Sequence, residues 1–262
     1  MARTPRTTSG TGIYHVMMRG INRQNLFEDT EDYLKFREIL CQMVWPKDEN
    51  GRQLPSRTVF YAYCLMSNHV HLLIRETEEK LGEVIKRIGI SYAKHFNSKY
   101  QHYGHLFQDR YKSEPVNDAA YFFTLLRYIH QNPLAAGLVK RVCDYEWSSW
   151  SDYEQSKNGI PTICNTAQVL SRMSLPELRE LVNDPLPKTT IVLDYDSGSQ
   201  SKTDSEVKDF LIESFGLKQP SDLQLYSRER RNDILRAAKE YGASIRQLVR
   251  LTGISFALIR AS

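Results

Sequence analysis

Cysteine is scarce and carries no pairing pattern: Cys41, Cys64, Cys143 and Cys164 are the only four in 262 residues, and no CxxC joins any two. That spacing excludes a zinc knuckle and gives no disulfide framework; the four read as reduced, structural thiols. Long apolar runs are missing too, and no stretch reaches the length of a membrane helix. The opening Met1-Ala-Arg-Thr-Pro-Arg-Thr-Thr-Ser-Gly is basic without the apolar segment of a secretory signal, so a cytoplasmic protein with no membrane partner is expected. No G-x-x-x-x-G-K run occurs, which removes the phosphate loop of helicases and ATPases. Charge bias is slight, 35 Lys and Arg against 31 Asp and Glu, and by itself identifies no partner.

The distribution of that charge says more than its sum. Between Lys86 and Lys112 stand Lys86, Arg87, Lys94, Lys99, Arg110 and Lys112 against Asp109 alone. Interleaved with them are Tyr92, His95, Phe96, Tyr100, His102, Tyr103, His105, Phe107 and Tyr111. Basic groups neutralise phosphates and flat rings stack on unpaired bases. The charged outer face of an amphipathic helix gives the same pattern, so the segment needs a second signal to be read as a nucleic-acid surface.

Periodicity predicts a strand over Ile13–Arg19 followed by a turn at Gly20-Ile-Asn-Arg-Gln. A helix follows from Asp29 to Val44, with Tyr33, Phe36, Ile39, Leu40 and Met43 on one side. Val59–Met66 and His69–Arg75 read as strands joined by the short turn Ser67-Asn68, hence antiparallel neighbours. A helix from Leu81 to about Lys99, a strand over Leu106–Val116 and a helix capped by Asp118 come next. Pro133 is expected to end that last helix at Gln131. The order β-α-β-β-α-β-α predicts an α+β domain, a ferredoxin-like antiparallel sheet covered by helices, over residues 1–153. Residues 154–204 read as a linker region with one short helix at Leu175–Val182. Residues 205–262 read as a small all-α domain whose end, two short helices about Thr252-Gly253-Ile254, has a helix-turn-helix pattern.

Two motifs carry chemistry. In Ser67-Asn68-His69-Val70-His71-Leu72, the strand period places His69 and His71 on one face and Val70 and Leu72 on the other. Paired imidazoles can share a divalent metal, although an H-x-H triplet arises by chance in roughly one such chain in five. In Leu126-Arg-Tyr-Ile-His-Gln-Asn-Pro133, Tyr128 and Asn132 lie one helical turn apart. A tyrosine at the edge of an apolar stripe is ordinary boundary packing; an asparagine oxygen beside two histidines is a hard donor that suits Mg²⁺ or Mn²⁺.

Taken together, the motifs resemble the single-tyrosine HUH transposases, and within them the REP-associated tyrosine transposases. Also similar are Tyr14-His-Val16 with Arg19-Gly20, the pair Asp32-Tyr33, and Gly137-Leu-Val139 after Pro133, so that the resemblance covers roughly residues 12 to 153. One departure is Ser67, where relatives often carry proline. The resemblance implies a metal on His69, His71 and Asn132, Tyr128 as nucleophile, a phosphotyrosine intermediate, and single-stranded or hairpin DNA as substrate. Phosphate contacts are then expected from Arg19, Arg23, Lys86, Arg87, Lys94, Arg110 and Lys112, in a monomer or homodimer. The competing readings are a replication or conjugation nickase of the same chemistry, a catalytically inactive DNA-binding regulator, and a metallohydrolase. The last needs a carboxylate beside the histidines, and none adjoins them in sequence.

Overall fold

Burial is nearly continuous along Ile13–Arg19 and His69–Glu76, as in a sheet covered on both faces, and the helices divide between those faces. A computed structural model of the chain describes residues 6–156, 159–187, 190, 192, 193, 204–243 and 245–262, without the side chains at 205, 246, 257, 260 and 261. The chain divides into two compact units, Met1–Leu193 and Asp194–Ser262. The Asp-, Ser- and Gly-rich stretch expected as linker falls mostly on 194–203, outside the described residues.

In the first unit β1 (Ile13–Arg19), α1 (Thr30–Val44), β2 (Thr58–Met66), β3 (His69–Glu76), α2 (Leu81–Tyr100), β4 (Lys112–Pro115) and α3 (Ala119–Ala135) follow one another. The sheet order is β2-β3-β1-β4 with every neighbouring pair antiparallel, the ferredoxin-like arrangement. Tyr14, Val16 and Met18 of β1 and Val70, Leu72 and Ile74 of β3 share one face, packed under Phe36 and Leu40 of α1 and Val84, Ile88 and Tyr92 of α2. The opposite face presents Cys64 and Leu73 to Leu125, Leu126 and Ile129 of α3.

Helices α4 (Trp150–Gln155), α5 (Thr166–Leu170) and α6 (Leu175–Asn183) add Trp150, Val169, Leu178 and Val182 to this second core. Part of the stretch read as linker therefore packs on the α3 side of the sheet. Each such buried aliphatic side chain contributes about 1.5–3 kcal/mol. The free edge of β2 is covered as well: Leu65 donates to the Trp147 carbonyl at 2.9 Å, Ser149 to Tyr63 at 2.9 Å and Asn165 to Phe60 at 2.8 Å. Capping of this kind removes a strand edge that would otherwise pair with another chain.

Two expectations are corrected. The strand expected over Leu106–Val116 is ordered as strand only at Lys112–Pro115, with an isolated bridge from Phe107 to Gly20. Asp109 between them takes the left-handed conformation at φ 51°, which breaks the ladder. Helix α3 also runs through Pro133 to Ala135. Within a helix proline loses one N–H bond and crowds the carbonyl four residues back, and here the helix ends two residues later at Ala135, just before Gly137 at φ 70°. There Leu138 donates to the Pro133 carbonyl and Gly137 to Leu134, both at 2.9 Å, the paired bonds of a glycine C-cap.

A buried carboxylate ties α1 to α2. Asp32 has no exposed surface and accepts from the Glu28 N–H at 2.9 Å, Tyr100 Oη at 2.7 Å, His95 Nε2 at 2.9 Å and Lys99 Nζ at 3.2 Å. Burial opposes its ionisation, but these donors outweigh burial and hold its pKa below the ordinary value. Asp32→Ala is expected to cost about 2–3 kcal/mol in chemical denaturation, because it strands buried donors. Since the folded pKa is depressed, this contribution is complete above the unfolded aspartate value near 4 and fades as pH falls through the folded value. The gap between parent and variant should be constant at pH 6–8 and shrink below about pH 4.

The second unit contains α7 (Asp204–Phe215), α8 (Arg228–Tyr241), α9 (Ile245–Thr252) and α10 (Phe256–Ala261). Val207, Leu211, Ile234, Leu235, Leu248 and Ile259 form its own core. Gly253, at φ 70°, makes the turn between α9 and α10. Among the described residues no helix is long and apolar enough to cross a membrane.

Candidate active site

Register places the candidate residues. On β3, His69 and His71 face α3; across the β1–β3 pair Arg19 lies opposite His69 and Met17 opposite His71, while Cys64 of β2 flanks His71 from the other side. The turn before them is pinned by the Gly20–Phe27 loop. Gly20 donates to the Asn68 carbonyl at 2.9 Å and Leu26 to Ser67 at 2.7 Å. A Cβ at Gly20 would stand 2.2 Å from the Gln24 carbonyl oxygen, so this close loop requires glycine.

The two imidazoles have different surroundings. His69 is half-buried, and its Nδ1 lies 2.7 Å from Asn68 Oδ1. An amide oxygen can only accept, so Nδ1 carries a proton, and in the neutral ring Nε2 is then the acceptor atom. His71 is fully buried, with Nδ1 at 3.1 Å from His15 Nε2. Its Nε2 is buried without a hydrogen bond of regular geometry, although the Asn132 side chain interacts with the ring. Burial, then the neighbouring His69 and His15, hold His71 well below the ordinary imidazole pKa against partial opposition from Asn132. The ring is neutral at physiological pH, the form a metal ligand needs.

Helix α3 lays Tyr128 over His71. Its ring meets His71 edge-on with centroids 5.5 Å apart, and His15 with centroids 6.0 Å apart. One turn on, Asn132 Nδ2 donates to the Tyr128 carbonyl at 2.9 Å, which leaves the amide oxygen as the remaining donor atom of that side chain. Among the described residues no three His, Cys, Asp or Glu side chains are placed to hold a metal. The donor set that fits is two imidazoles and one amide oxygen, with substrate or solvent oxygens completing a hard cation's shell.

Residues that the sequence pattern did not single out fix the rotation of α3. His130 is buried; its Nδ1 donates to the Leu126 carbonyl at 2.7 Å, and its Nε2 lies 2.9 Å from Ser149 Oγ. Ser149 Oγ in turn accepts from the Tyr63 N–H of β2 at 2.9 Å. Burial keeps His130 neutral, its pKa pushed down to about 4, so Nε2 is the acceptor and the chain of bonds has one direction. Gln131 donates to the Val182 carbonyl at 2.9 Å and locks α3 to α6. With both partners in place, Tyr128 and Asn132 point at the histidines. The only sequence signal was the alternation of His130 and Gln131 between them, which periodicity does not read.

The expected phosphate contacts divide. Arg19 is almost buried at the end of β1 beside His69, and Arg23 sits in the loop whose carbonyl meets Asn68 Nδ2 at 3.4 Å. Arg110 and Lys112 line an open groove of about 820 Å³ with Arg6, His105, Phe107 and Tyr111. Lys112 pairs in register with Met17 and so shares the histidine face. Lys86, Arg87 and Lys94 belong to α2, across the sheet from the histidines. Lys86 is already paired with Glu83 at 3.4 Å and Arg87 with Glu79 at 2.6 Å. The structure does not bring those three to the site.

Residues 9–132 match the family model described as Transposase IS200 like, a stretch that ends on Asn132 and holds every residue of the candidate site. Among solved structures, the REP-associated tyrosine transposase bound to a REP hairpin is 17% identical with a TM-score of 0.47, over 62% of this chain and 90% of that one. A Deinococcus radiodurans R1 crystal structure with a provisional transposase description is 21% identical with a TM-score of 0.31, over 50% of this chain and 97% of that one. No curated protein matches the sequence.

Proposed function

We propose that the IS200-like transposase domain at residues 9–132 cleaves and rejoins single-stranded DNA, at hairpin or repeat sequences, through a covalent bond to Tyr128. The observation that carries this reading is the Tyr128 ring set over His71 at 5.5 Å, on the strand face that also holds His69. His69, His71 and Asn132 would hold Mg²⁺ or Mn²⁺: the buried Nε2 of His71 makes no hydrogen bond of regular geometry, and the Asn132 side chain already meets that ring. When bound, the cation offsets charge on the scissile phosphate and orients it for in-line attack.

The chain's own groups supply the rest. Tyr128 loses its phenol proton as its oxygen bonds to phosphorus, and the departing sugar oxygen takes up a proton as its own bond breaks, so that no net proton is gained or lost and one DNA end carries a hydroxyl. The phosphotyrosine conserves the energy of the broken ester, so a second DNA hydroxyl can reverse the step without a nucleotide cofactor. Arg19 beside His69 suits the non-bridging oxygens of that phosphate, and the Arg110, Lys112 and Tyr111 groove suits the strand leading to it. The test is a labelled single-stranded hairpin incubated with the full chain. Cleavage and a labelled protein band should require Mg²⁺ or Mn²⁺ and stop with a chelator; metal-independent cleavage would contradict the reading.

The second unit is proposed to add affinity for duplex DNA through a helix-turn-helix at α9 and α10. Arg228 and Arg230 are exposed at the start of α8, whereas Arg250 is paired with Asp204 at 2.7 Å and Lys239 caps the Ile259 carbonyl at 3.2 Å. A fragment ending at Leu193 keeps both sheet cores. It should still nick single strands, with weaker binding and a salt dependence shallower by roughly one log unit for each phosphate that the second unit neutralises. Equal affinity and equal slope for fragment and full chain would show that the second unit does not touch DNA.

A further inference from the structure

We propose that His15 is a positioning residue for the candidate metal site, holding His71 in the tautomer that presents Nε2 to a cation. The inference rests on the reading of His69, His71 and Asn132 as metal ligands. His15 is fully buried on β1, two pairs along from His71 on the same face: it is in register with Leu73, and Met17 with His71. Its ring lies nearly parallel to that of His71, 12° apart in plane with centroids separated by 5.4 Å, and its Nε2 is 3.1 Å from His71 Nδ1.

One proton occupies that 3.1 Å contact, and its position decides what His71 can do. If His15 Nε2 carries it, His71 Nδ1 accepts; a neutral His71 then has its own proton on Nε2 and no lone pair there. If His71 Nδ1 carries it, His15 Nε2 accepts and the buried Nε2 of His71 is a bare donor atom. Only the second arrangement can bind a cation through Nε2. His69 has the same service from Asn68 Oδ1 at 2.7 Å, an atom that can only accept. Each imidazole of the pair thus has its own hydrogen-bond partner behind it, and partners of this kind orient a ligand and raise its basicity. His15 also touches Tyr128 edge-on at 6.0 Å, so one side chain packs the metal ligand and the nucleophile together.

The measurement is Mn²⁺ binding to the metal-free full chain without DNA, followed by electron paramagnetic resonance. His15→Phe keeps a flat ring but has no acceptor, and should weaken Mn²⁺ binding by about 10–100-fold while its thermal unfolding without metal stays near the parent's. His15→Gln restores an acceptor and should recover part of the loss. Nitrogen-15 spectra of the unaltered chain saturated with Mg²⁺ should show His71 protonated on Nδ1 and bare on Nε2. A folded His15→Phe chain that binds Mn²⁺ within twofold of the parent would overturn the proposal. So would spectra placing the His71 proton on Nε2, and this readout decides the matter if the phenylalanine variant does not fold. His71→Ala separates the two levels. If it keeps Mn²⁺ affinity, the metal reading itself fails; if it loses affinity while His15→Phe keeps it, only the role of His15 fails.

Discussion

Tyr128→Phe is expected to reduce DNA cleavage by on the order of 10⁴–10⁶-fold, the scale at which removing a covalent nucleophile acts. Binding of a single-stranded hairpin should change less than about twofold, because the ring's edge contacts with His71 and His15 survive the loss of one oxygen. Gel-resolved cleavage and filter binding on the same preparations check both halves. The neighbouring phenol is a poor substitute. Tyr121 donates to Glu114 Oε2 at 2.6 Å, and burial together with that carboxylate raises its pKa, so its oxygen is further from the phenolate state than an ordinary tyrosine's. Tyr121→Phe should therefore leave cleavage close to the parent's rate. Persistent adducts in Tyr128→Phe would move the nucleophile elsewhere.

His69→Ala and His71→Ala are each expected to abolish measurable cleavage and to weaken Mn²⁺ binding by more than about 100-fold, beyond the loss typical of an outer partner. A second readout avoids dependence on activity. A ligand at about one hundred times its dissociation constant stabilises the folded state by about 2.7 kcal/mol, so Mn²⁺ should raise the unfolding temperature of the parent and leave both variants unmoved. The pair also separates burial from ligation. His69 is half-buried and His71 wholly buried, so a change in metal-free stability should be confined largely to His71→Ala. A parent whose unfolding is indifferent to Mn²⁺ would remove the metal from the account.

Strong periods made most of the first unit legible. Ile13–Arg19 appears as expected, α1 differs by its cap residue Asp29, and β3 and α2 each extend by one residue. The alternation of His69-Val70-His71 told that both imidazoles share one side of the sheet, because a strand has only two sides; that this is the α3 side came from the structure. The pairing of Tyr128 with Asn132 followed from the helical turn. What was not legible depended on long-range partners. Pro133 lies inside α3 rather than at its end, and the last turn is closed beyond it by the Gly137 cap. The short helix expected at Leu175–Val182 forms as α6, but its packing against α3, and the pairing of 163–165 with the edge of β2, depend on partners distant in sequence. His15 and His130 were invisible as partners because each reaches across to another element, His71 of β3 and Ser149 before α4. The basic α2 lies on the sheet face away from the histidines, a placement that local composition does not carry.

The most direct measurement of the central claim is the identity of the residue that becomes joined to DNA. The full chain is incubated with a single-stranded hairpin and Mn²⁺, the covalent product is trapped by denaturation, and the protein is digested and sequenced by mass spectrometry. The account predicts one nucleotide-bearing peptide, from the α3 segment, with the added mass on Tyr128 and none formed when the metal is chelated. A modified residue other than Tyr128, or cleaved DNA with both ends free and no protein attached, would contradict it.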